Sequence, residues 1–121
     1  MRKLIKLVTY PFYLFLAQFY PVLYAKVKGV NIEGSVKIYG SSYKMFGSEP
    51  YLITLGDNVY ISVDASFVTH DGSVLPFRKI HPTLEVASPI SVGDNVFIGT
   101  RALILPGVNI GNNVVIGANS V

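Results

Sequence analysis

Aliphatic residues recur at every sixth position through the C-terminal quarter of the chain, at Val92, Ile98, Ile104, Ile110 and Ile116. Four places after each stands a small or β-branched residue: Val96, Ala102, Val108, Val114 or Ser120. Val86 with Ile90 fits one step earlier in the same phase. A six-residue period is foreign to an amphipathic helix and too long for simple strand alternation, but it suits a β-solenoid. Each hexad then makes one short strand and one corner. The aliphatic opener points into a narrow prism, and the small residue shares that interior without overfilling it. The fold class predicted is an all-β solenoid.

The same spacing begins weakly at Ile32 with Val36 and at Ile38 with Ser42, then lapses from Tyr43 to Pro50. A second clean block opens at Leu55, Ile61 and Phe67, with Val59 and Ala65 in the small positions. From Thr69 to about Glu85 the phase breaks again. Three corners share one pattern: Leu55-Gly-Asp-Asn-Val59, Val92-Gly-Asp-Asn-Val96 and Ile110-Gly-Asn-Asn-Val114. Gly, Asn and Asp tolerate a left-handed backbone, so they turn tight corners at least cost.

Ahead of the repeats, Leu7 to Ala25 carries no charge and is just long enough to span a bilayer. Pro11 and Pro21 interrupt it, Gln18 is polar, and four tyrosines give it an interfacial character. Residues 1–28 are expected to form a hydrophobic and basic helical segment. Three readings stay open: a helix packed on its own oligomer, peripheral contact with a membrane interface, or a true span. The prolines count against the span, and basic residues at both ends favour the interface. No small-x-small cleavage site marks a signal peptide.

Composition narrows the function. Half of the residues are hydrophobic, enough for one continuous core. There is no cysteine, which excludes disulfides and thiolate-bound metal and fits a reducing, cytoplasmic compartment. The net charge of +3 hides an asymmetry, because the first third holds seven Lys and Arg against Glu33 alone. Such a basic end points to an anionic surface; nucleic acid would need basic residues interleaved with aromatics along one face.

A solenoid buries its repetitive residues, so chemistry is expected where the repeat breaks. The break from His70 to Pro82 holds both histidines of the chain. Histidine accepts protons near neutrality. His70 follows the strand Ser66–Thr69 and is the candidate base, with an idle corner histidine as the alternative. His81, beside Pro82, is the second choice and reads first as a surface residue. Asp71 orients an imidazole or starts the turn with Gly72, the turn being the simpler role. Two histidines without cysteine or an acidic cluster fall short of a catalytic zinc, so no metal is predicted. Walker, dinucleotide and Gly-x-Ser-x-Gly motifs are absent.

The run from Ile90 to Val121 resembles the hexapeptide-repeat O-acetyltransferases, among them the maltose and galactoside acetyltransferases and the capsule and lipopolysaccharide acyltransferases. The runs Phe46-Gly-Ser-Glu-Pro-Tyr-Leu-Ile53 and Val68-Thr-His-Asp-Gly72 resemble the polysaccharide-modifying branch. The resemblance implies a left-handed parallel β-helix over residues 29–121 with an inserted active-site loop. It implies an acetyl-CoA-dependent O-acyltransferase acting on a saccharide hydroxyl, in a homotrimer whose sites lie between subunits. N-acyl transfer to an amino sugar and a non-catalytic β-helix subunit are the alternatives.

By the same resemblance His70, in its Thr-His context, is the general base. The backbone N–H near Thr100 stabilises the oxyanion, and acetyl-CoA runs past Phe97, Thr100, Gly117 and Ala118. Phe97 stands where the family often has tryptophan. The chain ends at Ser120-Val121, where the family continues with Thr-Lys-Asp and a cap, so a C-terminally truncated domain is expected.

Overall fold

The computed structural model describes residues 1–121. Two helices open the chain, α1 (Arg2–Phe19) and α2 (Pro21–Lys28). Where one helical segment is predicted there are two, and the reason is local. Tyr20 precedes a proline, which disfavours helical geometry, and it sits at φ −133°, ψ 61°. Pro21 then starts α2 at a position where a missing N–H is harmless. Gly29, in the left-handed conformation at φ 108°, ends it. Neither helix is long and apolar enough to cross a membrane.

Twelve short strands follow: β1 (Asn31–Ile32), β2 (Val36–Ile38), β3 (Ile53–Leu55), β4 (Val59–Ile61), β5 (Ser66–Phe67), β6 (His70–Asp71), β7 (Val86–Ala87), β8 (Ile90–Val92), β9 (Val96–Ile98), β10 (Leu103–Ile104), β11 (Asn109–Ile110) and β12 (Val114–Ile116). All but two lie in three parallel sheets, ordered β1-β3-β8-β11, β2-β4-β9-β12 and β5-β10. The chain visits these sheets in rotation. Equivalent residues of the last two coils lie 18 apart, three hexads, and across the 70–88 loop they lie 37 apart.

Hexad periodicity becomes burial. Leu55, Ile61, Phe67, Val92, Ile98, Ile104 and Ile110 are buried, and so are the small partners Val59, Ala65, Val96 and Ala102. They belong to one core that also takes in Ala25 and Val30, so α2 covers the N-terminal end of the stack. Val86 is an exception to the phase. It pairs antiparallel with Asp71 in the clasp of the loop, because the inserted segment returns to its starting corner before the repeat resumes at Ile90.

The Gly-Asp-Asn corners explain themselves in hydrogen bonds. Asn58, Asn95 and Asn113 all adopt positive φ near 55–59°, a conformation asparagine tolerates. Their side chains form a ladder, Asn58 Nδ2 donating to Asn95 Oδ1 at 3.0 Å and Asn95 Nδ2 to Asn113 Oδ1 at 3.1 Å. One residue earlier, Asp57, Asp94 and Asn112 each accept from the backbone N–H of the coil before, at 2.7–2.8 Å. The acidic or amide side chain therefore satisfies a donor that a tight corner would otherwise leave unpaired.

Candidate active site

His70 sits where the third corner of its coil opens into the loop. Phe67 pairs with Ile104, and three residues further each way this register aligns His70 with Gly107. The corner that Gly107 turns in one coil is thus replaced in the other by a segment held at its neck by β6 and β7, with His70 opposite Ala87. Gly72–Lys79 forms a short 3-10 helix, and Asp71 caps it by accepting from the Ser73 N–H at 2.8 Å. Asp71 therefore takes the turn role; its carboxylate is not an imidazole partner.

The partners of His70 come from elsewhere. Its Nδ1 lies 2.9 Å from Glu49 Oε1, and its Nε2 lies 3.3 Å from Glu85 Oε1. Glu49 also accepts from Ser48 Oγ at 2.7 Å and from the buried Thr69 hydroxyl at 2.9 Å. Glu49 lies in the connection between the first two coils, just before a short 3-10 helix, Pro50–Leu52. The Phe46–Ile53 run carries the family resemblance, but nothing in the sequence marks Glu49 as a partner of His70. The only available signal was a carboxylate inside a non-periodic Gly-Ser-Glu-Pro stretch, and its distance from His70 along the chain hid the pairing.

Hydrogen bonds from His70, and then Ser48, hold the Glu49 carboxyl below its ordinary value of 4.5; burial opposes them and Thr69 adds to them. A depressed native value means that the folded state binds fewer protons than the unfolded one. The stabilisation is complete above the ordinary value and is lost as pH falls through the native one. Thermal melts of wild type and Glu49→Gln between pH 6 and pH 3 check this. The wild-type advantage should shrink on the acid side of 4.5; a constant gap across the range would contradict the ion contact.

Around the second corner the cofactor candidates do come together. Phe97 pairs with Val115 and Ile98 with Ile116, which stacks Gly99-Thr100 directly beneath Gly117-Ala118. The approach is close: a Cβ on Gly99 would lie 2.6 Å from Ala118 N, so no larger residue fits there without displacing backbone. Thr100 accepts from Asn119 N at 2.9 Å, its hydroxyl meets Ser62 Oγ at 2.8 Å, and its own N–H has no acceptor in the chain. Phe97 is exposed, as are Gly117 and Ala118, so the edge is accessible.

The structure separates these two groups. Arg101 N donates to Val63 O, which places Thr100 level with the start of the third face, while His70 stands at its end. After the turn at Val63-Asp64, the five residues from Ala65 to Thr69 run along that face and span on the order of 15 Å. One chain therefore does not bring His70 to Thr100. His81 is exposed, and its imidazole makes no hydrogen bond; only its backbone is engaged, its N–H donating to Phe77 O at 2.9 Å and its carbonyl accepting from Leu84 N at 3.0 Å.

Residues 89–121 match the family model described as the hexapeptide repeat of succinyl-transferase. The repeats of residues 89–121 are thus hexapeptide repeats. The chain is similar to the protein CapG of Staphylococcus aureus, 48% identical over 107 residues that cover 75% of this chain and 62% of CapG. It is also similar to the galactoside O-acetyltransferase of Escherichia coli (strain K12), 35% identical over 94 residues covering 77% of this chain and 45% of that enzyme. The chain thus spans about half to three-fifths of the length of these relatives.

Proposed function

We propose that this chain is the acyl-transferring part of an acetyl-CoA-dependent O-acetyltransferase for a saccharide hydroxyl, one belonging to a surface-polysaccharide precursor. The single observation that carries the reading is His70, fixed at Nδ1 by Glu49 while Nε2 faces outward past the half-exposed Glu85. Similarity to a galactoside O-acetyltransferase supports a sugar hydroxyl as the acceptor. The Phe46–Ile53 run supports the polysaccharide branch. In this reading the three parallel sheets wind as a left-handed β-helix, since hexapeptide repeats form that fold.

The chemistry follows from the two separated groups. In the neutral ring Nδ1–H donates to Glu49, which leaves Nε2 as the acceptor. An acceptor hydroxyl enters beside the exposed Glu85 and gives its proton to Nε2 as its oxygen attacks the thioester carbonyl of acetyl-CoA, the acyl donor and second substrate. Carbonyl charge then develops, and the free N–H of Thr100 donates to it, worth on the order of 3 kcal/mol. When the C–S bond breaks, His70 returns the proton to the thiolate, so atoms and charge balance. Glu49 and Glu85 steady the imidazolium between the two steps. The bare backbone at Gly117 and the small side chain of Ala118 fit close passage of an extended pantetheine arm.

Because His70 and Thr100 stand at opposite ends of one face, a complete site needs His70 from one subunit and Thr100 from another. A homotrimer, with its three-faced coils side by side, meets that need. The basic helical segment 1–28 holds the assembly at the inner face of the cytoplasmic membrane.

Thiol release from acetyl-CoA, measured across a panel of saccharides and amino sugars, tests the proposal. Release is expected with neutral sugar hydroxyls as acceptors. Absence of release with every acceptor, from a preparation that sediments as a stable trimer, would sink it, and release with amino sugars alone would move the chemistry to N-acyl transfer.

A further inference from the structure

Two cavities of about 610 and 430 Å³ adjoin where α1 and α2 meet the Tyr43–Ser48 connection, and they share Tyr10, Tyr13 and Tyr43. Lys3 and Lys6 line the outer one; Lys28, Lys44 and Ser48 line the inner one. No carboxylate lines either. None of the four lysines is in an ion pair, because the salt bridges of this chain all involve His70. The nearest carboxylate in sequence, Glu49, is already engaged by Ser48, Thr69 and His70.

The aromatic floor is built, not incidental. Tyr10 meets Tyr43 edge-on at 5.8 Å, and Tyr24 lies 6.2 Å from Tyr13 and 6.1 Å from Tyr43. Tyr24 is buried and donates to Tyr43 O. Lys28 Nζ lies over the Tyr13 ring at 5.1 Å, which aims the ammonium across the groove. Burial raises the Tyr24 and Tyr43 hydroxyls above their ordinary value; the Tyr24 proton is already given to Tyr43 O, so the groove's donors to an anion are its lysines and the remaining phenols. Lysine ammonium groups and phenol hydroxyls facing one cleft are the donors a phosphate or diphosphate takes.

We propose that this tyrosine–lysine groove binds the phosphate or diphosphate of a glycosyl acceptor, with the sugar extending past Ser48 towards His70. The assignment of the ligand as an acceptor rests on the transferase reading; the anion site does not. A diphosphate sugar reaches the groove either as a nucleotide sugar in solution or on a polyprenyl carrier, and both present the same anion.

Binding is read by tyrosine emission, since the chain has no tryptophan. The ligands are inorganic pyrophosphate, UDP-glucose and farnesyl diphosphate, added to wild type and to a Lys28→Gln/Lys44→Gln variant. Both lysines are exposed, so the variant should keep the wild-type circular dichroism and melting temperature. Pyrophosphate affinity should fall about tenfold or more in the variant. Tighter binding of UDP-glucose or of farnesyl diphosphate supports the site and identifies the source. Equal pyrophosphate affinity in both proteins, or no saturable response, overturns it.

A second measurement separates this from the enzyme assignment. For a sugar accepted in the thiol-release assay, the variant should raise KM for its 1-phosphate and leave KM for the free sugar and kcat unchanged. Turnover with both KM values unaltered overturns the groove while the transferase stands. Lysine-dependent pyrophosphate binding without any turnover keeps the anion site and removes only the acceptor role.

Discussion

Acetyl transfer should fall about a hundredfold or more in His70→Ala, with the protein still folded. The imidazole is only partly buried, and its removal leaves the parallel coils untouched. What is lost is the group that takes the hydroxyl proton, so the effect belongs in kcat while KM for acetyl-CoA stays close to wild type. His81→Ala is the control: its side chain makes no hydrogen bond and lies exposed in the loop, and its activity should remain near normal. Near-normal turnover in His70→Ala, measured by thiol release, would end the assignment of His70 as the base.

The largest effect on stability is expected at Phe67. Its side chain is fully buried, stacks on Phe46 at 5.3 Å and stands at the pairing of β5 with β10. Phe67→Ala leaves a cavity in a core packed between short parallel strands and should cost about 3–5 kcal/mol. That is a large share of the roughly 5–15 kcal/mol that holds a domain of this size. In denaturant the midpoint should drop with the slope unchanged. Val115→Ala, an outward-facing change in the same kind of short strand, should stay within about 0.5 kcal/mol. A Phe67→Ala loss as small as that would contradict the close packing of Phe67 on Phe46. Phe67 also positions chemistry, because Thr69 and His70 follow directly from its strand and Phe67 N donates to Met45 O across to the connection that carries Glu49.

Some of the site was legible in advance because the repeat marks its own interruption. His70 was singled out as the residue at the break, and the edge through Phe97, Thr100, Gly117 and Ala118 was set by the family resemblance. The register stacks that edge as expected, one coil on the next. Glu49 and Glu85 were not assigned a role. Both lie in segments without a period, and nothing in such a segment states how far it travels before it packs. The break of the N-terminal segment into two helices was missed for a different reason: Pro21 was counted as an interruption, but its effect on Tyr20 decides the geometry.

The sequence by itself determined the coil. A six-residue period acts identically in each hexad, so the openers are driven inward and each repeated corner presents the same side chain to the backbone N–H of the coil before it. The tertiary structure alone decided what the interruptions do. It set one carboxylate on each nitrogen of His70, gathered lysines and tyrosines from two helices and a connection into one groove, and placed His70 and Thr100 at opposite ends of a face. Those arrangements depend on where non-periodic segments come to rest, and that is governed by packing between parts of the chain that share no local rule.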